Sequence, residues 1–190
     1  MNIVKSASVL PGGLILEIGC NDGALLGVLR EAGFHNLVGV EPSKALCVSA
    51  GLTGAKIVND YFTSESAEHI LRSYGAPKAV ICRHTLEHVP DIQGFMAGIR
   101  RLADSESAVT LIEVPDSSVI TDRGYFFELW DEHLYYFHDD NLAHLMAREG
   151  FKVAASVAVE HQETRNILMT LRPMQAADVV TAPMSSLAHA

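Results

Sequence analysis

The run Leu14-Ile15-Leu16-Glu17-Ile18-Gly19-Cys20-Asn21-Asp22-Gly23 constrains the fold more than any other stretch of the chain. An apolar segment ends on a carboxylate, a glycine-bearing turn follows, and Ala24-Leu25-Leu26-Gly27-Val28-Leu29-Arg30 continues as a helix-like run. Strand, tight turn and helix in that order open a nucleotide-binding βαβ unit. Glycines permit the sharp turn and let a ligand come close to the backbone. The details do not suit a dinucleotide. A pyrophosphate seeks the positive N-terminus of a helix, whereas Glu17 and Asp22 make this turn acidic, and the G-x-G-x-x-G spacing is absent. An acidic turn fits a ligand that carries a ribose and a cationic tail.

The alternation repeats along the chain. Strands are predicted at 13–18, 36–41, 55–58, 79–83 and 109–114, with helices at 24–32, 43–50, 66–74 and 91–103 between them. Gly33 and Gly150 stop helices, Pro42-Ser43 opens one, and Asp139-Asp140-Asn141 caps a helix running to 149. Two more strands, 152–160 and 166–172, are separated only by 161–165, too few residues for a crossover helix. They must form a hairpin, so one strand runs antiparallel to the rest. The expected fold class is α/β: a Rossmann-like, doubly wound seven-stranded sheet, mostly parallel, with an antiparallel C-terminal hairpin. This domain is expected over 1–174, with 175–190, which is small, polar and aperiodic, as a disordered tail.

Composition excludes several function classes. The formal net charge is −9, and no Lys/Arg cluster exceeds Arg100-Arg101, so a nucleic-acid partner is not expected. No apolar run approaches the roughly 20 residues that span a bilayer, and Met1-Asn2-Ile3-Val4-Lys5 does not read as a signal peptide. Cys20, Cys47 and Cys82 include no C-x-x-C pair, so neither a zinc ribbon nor a disulfide framework is signalled. A reducing, cytoplasmic setting and a small-molecule partner are expected. The oligomeric state is not legible.

Candidate site residues cluster at strand ends, where doubly wound sheets bind ligands. Glu41 ends the second strand, beside the Glu17 turn, the place of an acid that takes ribose hydroxyls. A ribose with an ammonium and a sulfonium, and no phosphate, describes S-adenosylmethionine (SAM). Glu17, Gly19, Cys20, Asn21 and Gly23 form the turn against its methionine and ribose, and Pro42 follows Glu41. After the third strand, Asp60 is placed to accept from the adenine amine, with Tyr61 or Phe62 against the ring; an Asx turn and one core aromatic is the plainer alternative. Arg83 and His84 end the fourth strand near the methionine half. His84 and His88 are four apart, a spacing that can hold a metal on a helix, but the sequence offers no evident third ligand, and no metal is expected.

A second dense segment follows the fifth strand: Phe127-Glu128-Leu129-Trp130-Asp131-Glu132-His133-Leu134-Tyr135-Tyr136-Phe137-His138. Histidine titrates near neutrality, so His133 is the candidate general base and His88 the second. Leu134 and Phe137 are expected simply to pack over the sheet edge. Arg83, Arg123 and Arg165 are available to steer an anionic acceptor.

Taken together, Glu17-Ile18-Gly19-Cys20-Asn21-Asp22-Gly23, Gly39-Val40-Glu41-Pro42-Ser43, Thr85-Leu86-Glu87-His88-Val89-Pro90-Asp91, Ile112-Glu113-Val114-Pro115 and Glu132-His133-Leu134-Tyr135-Tyr136-Phe137 resemble the C-methyltransferases that act on a ketosugar carbon of deoxysugar nucleotides. The resemblance covers roughly residues 14–137 and implies a class I SAM-dependent methyltransferase core. The chain departs from that family in several places. Trp130 stands where the family has a catalytic tyrosine, and it can serve as neither acid nor base. His161-Gln162-Glu163-Thr164-Arg165 keeps only the His and Arg of the family's last element. The family's paired-cysteine zinc domain and large C-terminal domain have no counterpart in these residues. The expected function is methyl transfer from SAM to the oxygen or carbon of a small, anionic or sugar-like metabolite. Two alternatives stay open: a metal-assisted O-methyltransferase using His84 and His88, and a SAM-binding module without catalysis.

Overall fold

The computed structural model describes residues 12–103, 108–161 and 164–175. Its strands are β1 (Ile15–Ile18), β2 (Leu37–Val40), β3 (Lys56–Val58), β4 (Ala79–Arg83), β5 (Val109–Pro115), β6 (Phe151–His161) and β7 (Thr164–Pro173). They form one sheet in the order β3-β2-β1-β4-β5-β7-β6. The first five are parallel, while β7 pairs antiparallel with both β5 and β6. The helices are α1 (Ala24–Glu31), α2 (Lys44–Gly51), α3 (Ser64–Tyr74), α4 (Ile92–Leu102), α5 (Ser118–Arg123) and α6 (Asp139–Arg148).

Strand periodicity explains the two layers of helices. Leu14, Leu16 and Ile18 face one side and join a core with Ile70 of α3, Met96 and Ile99 of α4, and Leu142 and Met146 of α6. Ile15 faces the other side, against Leu26 and Leu29 of α1 and Ala50 of α2. Each fully buried Leu or Ile of this kind contributes about 1.5–3 kcal/mol through the hydrophobic effect. By the same alternation Glu17 shares the face of Ile15, so a carboxylate is carried into the side covered by α1.

The expected fold class is what forms, with differences at the edges. The hairpin strands are longer than the apolar pattern indicated and carry a register shift between Val153 and Ala155. α5 was not expected: it is short, rich in β-branched residues and buries only Val119. Asp139 and Asp140 lie inside the first turn of α6 rather than capping it; His138 is the cap residue, its N–H donating to Asn141 Oδ1 at 2.9 Å. The tail expectation from 176 onward lies outside the described residues. None of the described helices is long and apolar enough to cross a membrane. Cys20, Cys47 and Cys82 are all free.

Candidate functional site

The sheet's winding reverses between β1 and β4, so their C-terminal tips open a crevice at the carboxyl edge. After β1 the chain passes through left-handed backbone at Gly19 (φ 71°), Asn21 (φ 51°) and Gly23 (φ 83°). A Cβ at Gly19 would lie 2.1 Å from Thr85 Oγ1, and one at Gly23 would lie 2.8 Å from Ala50 Cα. Both glycines are thus required by conformation and by space.

Two cavities lie along this edge. The first, about 570 Å³, is lined by Ile18, Gly19, Val40, Pro42, residues 61–65, Thr85, His88 and the start of α4. The second, about 550 Å³, is lined by Arg83, His84, Glu87, His88, Glu113, Glu128, Trp130, His133 and residues 164–166 among others. Both volumes are in the range of small-ligand sites. His88 borders both cavities.

Of the residues expected to hold SAM, Gly19, Pro42 and Tyr61 line the first cavity. Glu41 is buried just behind it. Its Oε2 accepts from Asn21 N at 3.1 Å and its Oε1 from Ser43 N at 2.8 Å, which ties the β1 turn to the β2 exit. A carboxylate has about four acceptor positions, so two remain for a ligand. Glu17 is buried with Oε2 lacking a hydrogen-bond partner among the described residues. Burial pushes its pKa up to about 8, against the opposing pull of the Arg83 charge. Asn21 and Gly23 shape the turn without lining either cavity.

Several of the remaining candidate residues lie elsewhere than along the first cavity. The Cys20 side chain packs into the core, where it would meet a Cβ placed at Gly39, so only its backbone belongs to the turn. Asp60 is exposed, accepts from Tyr61 N at 2.8 Å and lines neither cavity. Phe62, by contrast, packs against the core, as the plainer alternative of one core aromatic had it. Arg83 and His84 line the second cavity, not the first, because Arg83 pairs in register with Glu113 of β5 and left-handed backbone at His84 (φ 47°) turns the chain there. Leu134 is 54% exposed rather than packed, whereas Phe137 is buried as expected.

The second cavity is a lattice of opposite charges. Arg83 Nε donates to Glu113 Oε2 at 2.5 Å, and Asn166 Nδ2 donates to Glu113 Oε1 at 3.0 Å. His84 lies between two carboxylates, with Nε2 3.6 Å from Glu113 and Nδ1 3.7 Å from Glu87. Glu113 first and Glu87 second hold its imidazolium, raising its pKa to about 9. Burial pushes Glu113 upward, but His84 and Arg83 outweigh it and bring its pKa to about 2. The arginines expected to steer an anion are all engaged: Arg83 by Glu113, Arg165 by Asp116 at 2.6 Å, and Arg123 by Glu160 at 3.1 Å.

The aromatic loop is fastened over this cavity by backbone bonds. Leu134 N and Tyr135 N donate to Glu87 O at 2.8 and 3.2 Å, and Tyr136 hydroxyl donates to Trp130 O at 2.9 Å. His133 thereby meets His88 edge to face, with ring centroids 4.8 Å apart. Burial holds the His133 pKa below the ordinary imidazole value. The pairing of His84 with His88 as metal ligands does not form; His88 is grouped with Glu87 and His133 instead. Sequence reasoning gave no role to Glu87 or Glu113, although Glu113, the one carboxylate in the mostly apolar β5, was a visible signal.

A methyltransferase-domain family model matches residues 7–156. The chain is 30% identical over 150 residues to the C-methyltransferase NovU of Streptomyces niveus, covering 79% of this chain and 35% of that protein. It is 29% identical over 105 residues to a ubiquinone biosynthesis O-methyltransferase of Hahella chejuensis, covering 54% and 44%. The chain thus spans less than half the length of either relative. Among solved structures it resembles magnesium protoporphyrin IX methyltransferase from Synechocystis with bound SAM (TM-score 0.61, 18% identity, 90% of this chain and 75% of that one). It also resembles a SAM-dependent methyltransferase from Anabaena variabilis (TM-score 0.66, 13% identity, 90% and 83%). With a family model matching residues 7–156, this chain belongs to the methyltransferase-domain family, and it has the fold of the class I SAM-dependent methyltransferases.

Proposed function

We propose that this domain, over residues 1–174, moves the methyl group of SAM to an oxygen or carbon of a small, uncharged, sugar-like acceptor. The observation that carries the reading is that the two cavities meet at His88. The donor occupies the first cavity, its ribose toward Glu41, which is buried at the β2 exit between the lining residues Val40 and Pro42. The acceptor occupies the second. Because Arg83 and Arg165 are each paired with a carboxylate, that cavity offers hydrogen bonds rather than free positive charge, which favours a polyhydroxylated molecule over an anion. The C- and O-methyltransferase relatives support both kinds of acceptor atom. The net charge of −9 supports a small molecule over a nucleic acid, and three unpaired cysteines support a reducing compartment such as the cytoplasm.

The acceptor's electron pair attacks the sulfonium methyl in line, the carbon–sulfur bond breaks toward sulfur, and S-adenosylhomocysteine remains. Alignment supplies much of the acceleration. His133, kept neutral by its surroundings, takes the acceptor's proton. Replacing either side separately tests this. Glu41→Ala should weaken SAM binding in calorimetry by roughly 1.5–3 kcal/mol for each charge-assisted bond lost. His133→Ala should leave SAM affinity intact and lower turnover ~10²–10⁴-fold over a panel of hydroxylated and keto-sugar acceptors. Wild-type protein that binds no SAM, or a Glu41→Ala protein that binds it unchanged, overturns the reading.

A further inference from the structure

We propose that Glu87, His88 and His133 form a binding site for one divalent transition-metal ion at the junction of the two cavities. One donor atom from each side chain lies within 4.8 Å of the other two. Glu87 is the most telling member. Its side chain is 2% exposed, and neither carboxylate oxygen has a hydrogen-bond partner among the described residues. The nearest cation, His84, stands off at 3.7 Å. A buried carboxylate left without a hydrogen bond is costly, and a metal ion is a standard remedy.

The histidines are prepared in the way metal ligands usually are. His88 Nδ1 lies 3.0 Å from Glu132 O, and a carbonyl can only accept, so Nδ1 carries the proton and Nε2 presents its lone pair. Outer contacts that fix the tautomer and ring orientation are characteristic of ligating histidines. His133 reaches the group from the loop that donates two backbone N–H groups to Glu87 O. Tetrahedral bonds of about 2.0–2.1 Å would bring the donors closer than they now stand, so binding draws the His133 loop inward.

Two imidazoles and one carboxylate select Zn²⁺, Co²⁺, Fe²⁺ or Mn²⁺ over Ca²⁺, and three protein ligands leave a position open, as in catalytic rather than structural sites. All three side chains line the second cavity. An acceptor hydroxyl bound at the open position would lose its proton to water at neutral pH, with the ion taking over the role of the His133 base. This consequence rests on the methyl-transfer reading; the binding itself does not.

Tag-free, chelator-stripped protein titrated with Co²⁺ should develop visible d–d absorption at one equivalent per chain, and Zn²⁺ should displace it. Glu87→Gln and His133→Ala should each lose that stoichiometric binding, while His69→Ala, on the exposed face of α3, should retain it. His133→Ala guards against a Glu87 variant that does not fold. Absence of a Co²⁺ spectrum, or a spectrum unchanged in both variants, overturns the site. SAM binding and turnover in stripped protein are read in parallel. Turnover without metal binding removes the ion and keeps the methyltransferase, and binding without turnover does the reverse.

Discussion

The two cavities sit side by side on one sheet edge yet are built from different material. The first is lined mainly by glycine, proline, aliphatic and aromatic residues, with Glu65, His88 and Asp91 as its ionisable members and the Gly19 turn packed against Thr85. The second is walled by charges that neutralise one another: Arg83 and His84 against Glu113, and Arg165 against Asp116. One side recognises by shape and the other by a balanced field. Mutations should therefore act through sterics in the first and through titration in the second.

The largest effect is expected at Gly19. Gly19→Ala forces a Cβ to 2.1 Å from Thr85 Oγ1 on left-handed backbone, which costs about 1–2 kcal/mol before the clash is counted. Calorimetry should detect no SAM binding, and the melting temperature should fall. Full SAM affinity in that variant would end the claim that shape governs the first cavity.

A smaller, pH-dependent effect belongs to Glu113. His84 is raised to about 9 in the folded protein, so its contribution to stability is complete below its ordinary pKa of 6.5 and disappears as pH rises through 9. Glu113, lowered to about 2, contributes above 4.5 and loses that contribution as pH falls toward 2. Glu113→Gln should return the His84 titration toward its ordinary value by NMR and flatten stability between pH 6.5 and 9. Because His84 is 43% exposed, solvent screening limits the change to the order of 1 kcal/mol. A His84 titration that does not move would show that the charges are not coupled.

The smallest effect is expected at Arg123. Its pairing with Glu160 lies at the surface and away from the cavity lining. Arg123→Ala should change neither melting temperature nor acceptor affinity. Lost affinity for an acidic acceptor would restore the anion-steering role and sharpen the contrast differently.

The same division decides what could be read in the sequence. The shape side announces itself locally, since apolar alternation, glycines at forced conformations and a carboxylate at a strand tip are written in consecutive residues. The Gly19 turn, the position of Glu41 at the end of β2 and the antiparallel hairpin were legible for that reason. The charged side is assembled from β4, β5, β7 and the aromatic loop, and the partners that meet at Glu113 are 30 and 53 positions away from it. No local pattern says that Arg83 is spent on Glu113, or that His88 meets His133 rather than His84. The direction of the Cys20 side chain was not legible either: its neighbour in the turn is exposed, but its own side chain faces the core beneath Gly39.

The short exit from β4 has a thermodynamic consequence. Thr85 supports the Gly19 turn on one side, His84 and Glu87 belong to the other cavity, and His88 belongs to both, all within five consecutive residues. A ligand that shifts this segment in one cavity shifts it in the other, so the two binding equilibria are linked. Whatever factor the donor imposes on acceptor affinity, the acceptor imposes on donor affinity in equal measure. On the proposed reading, the acceptor would then bind differently beside the methylated donor and beside its spent sulfide.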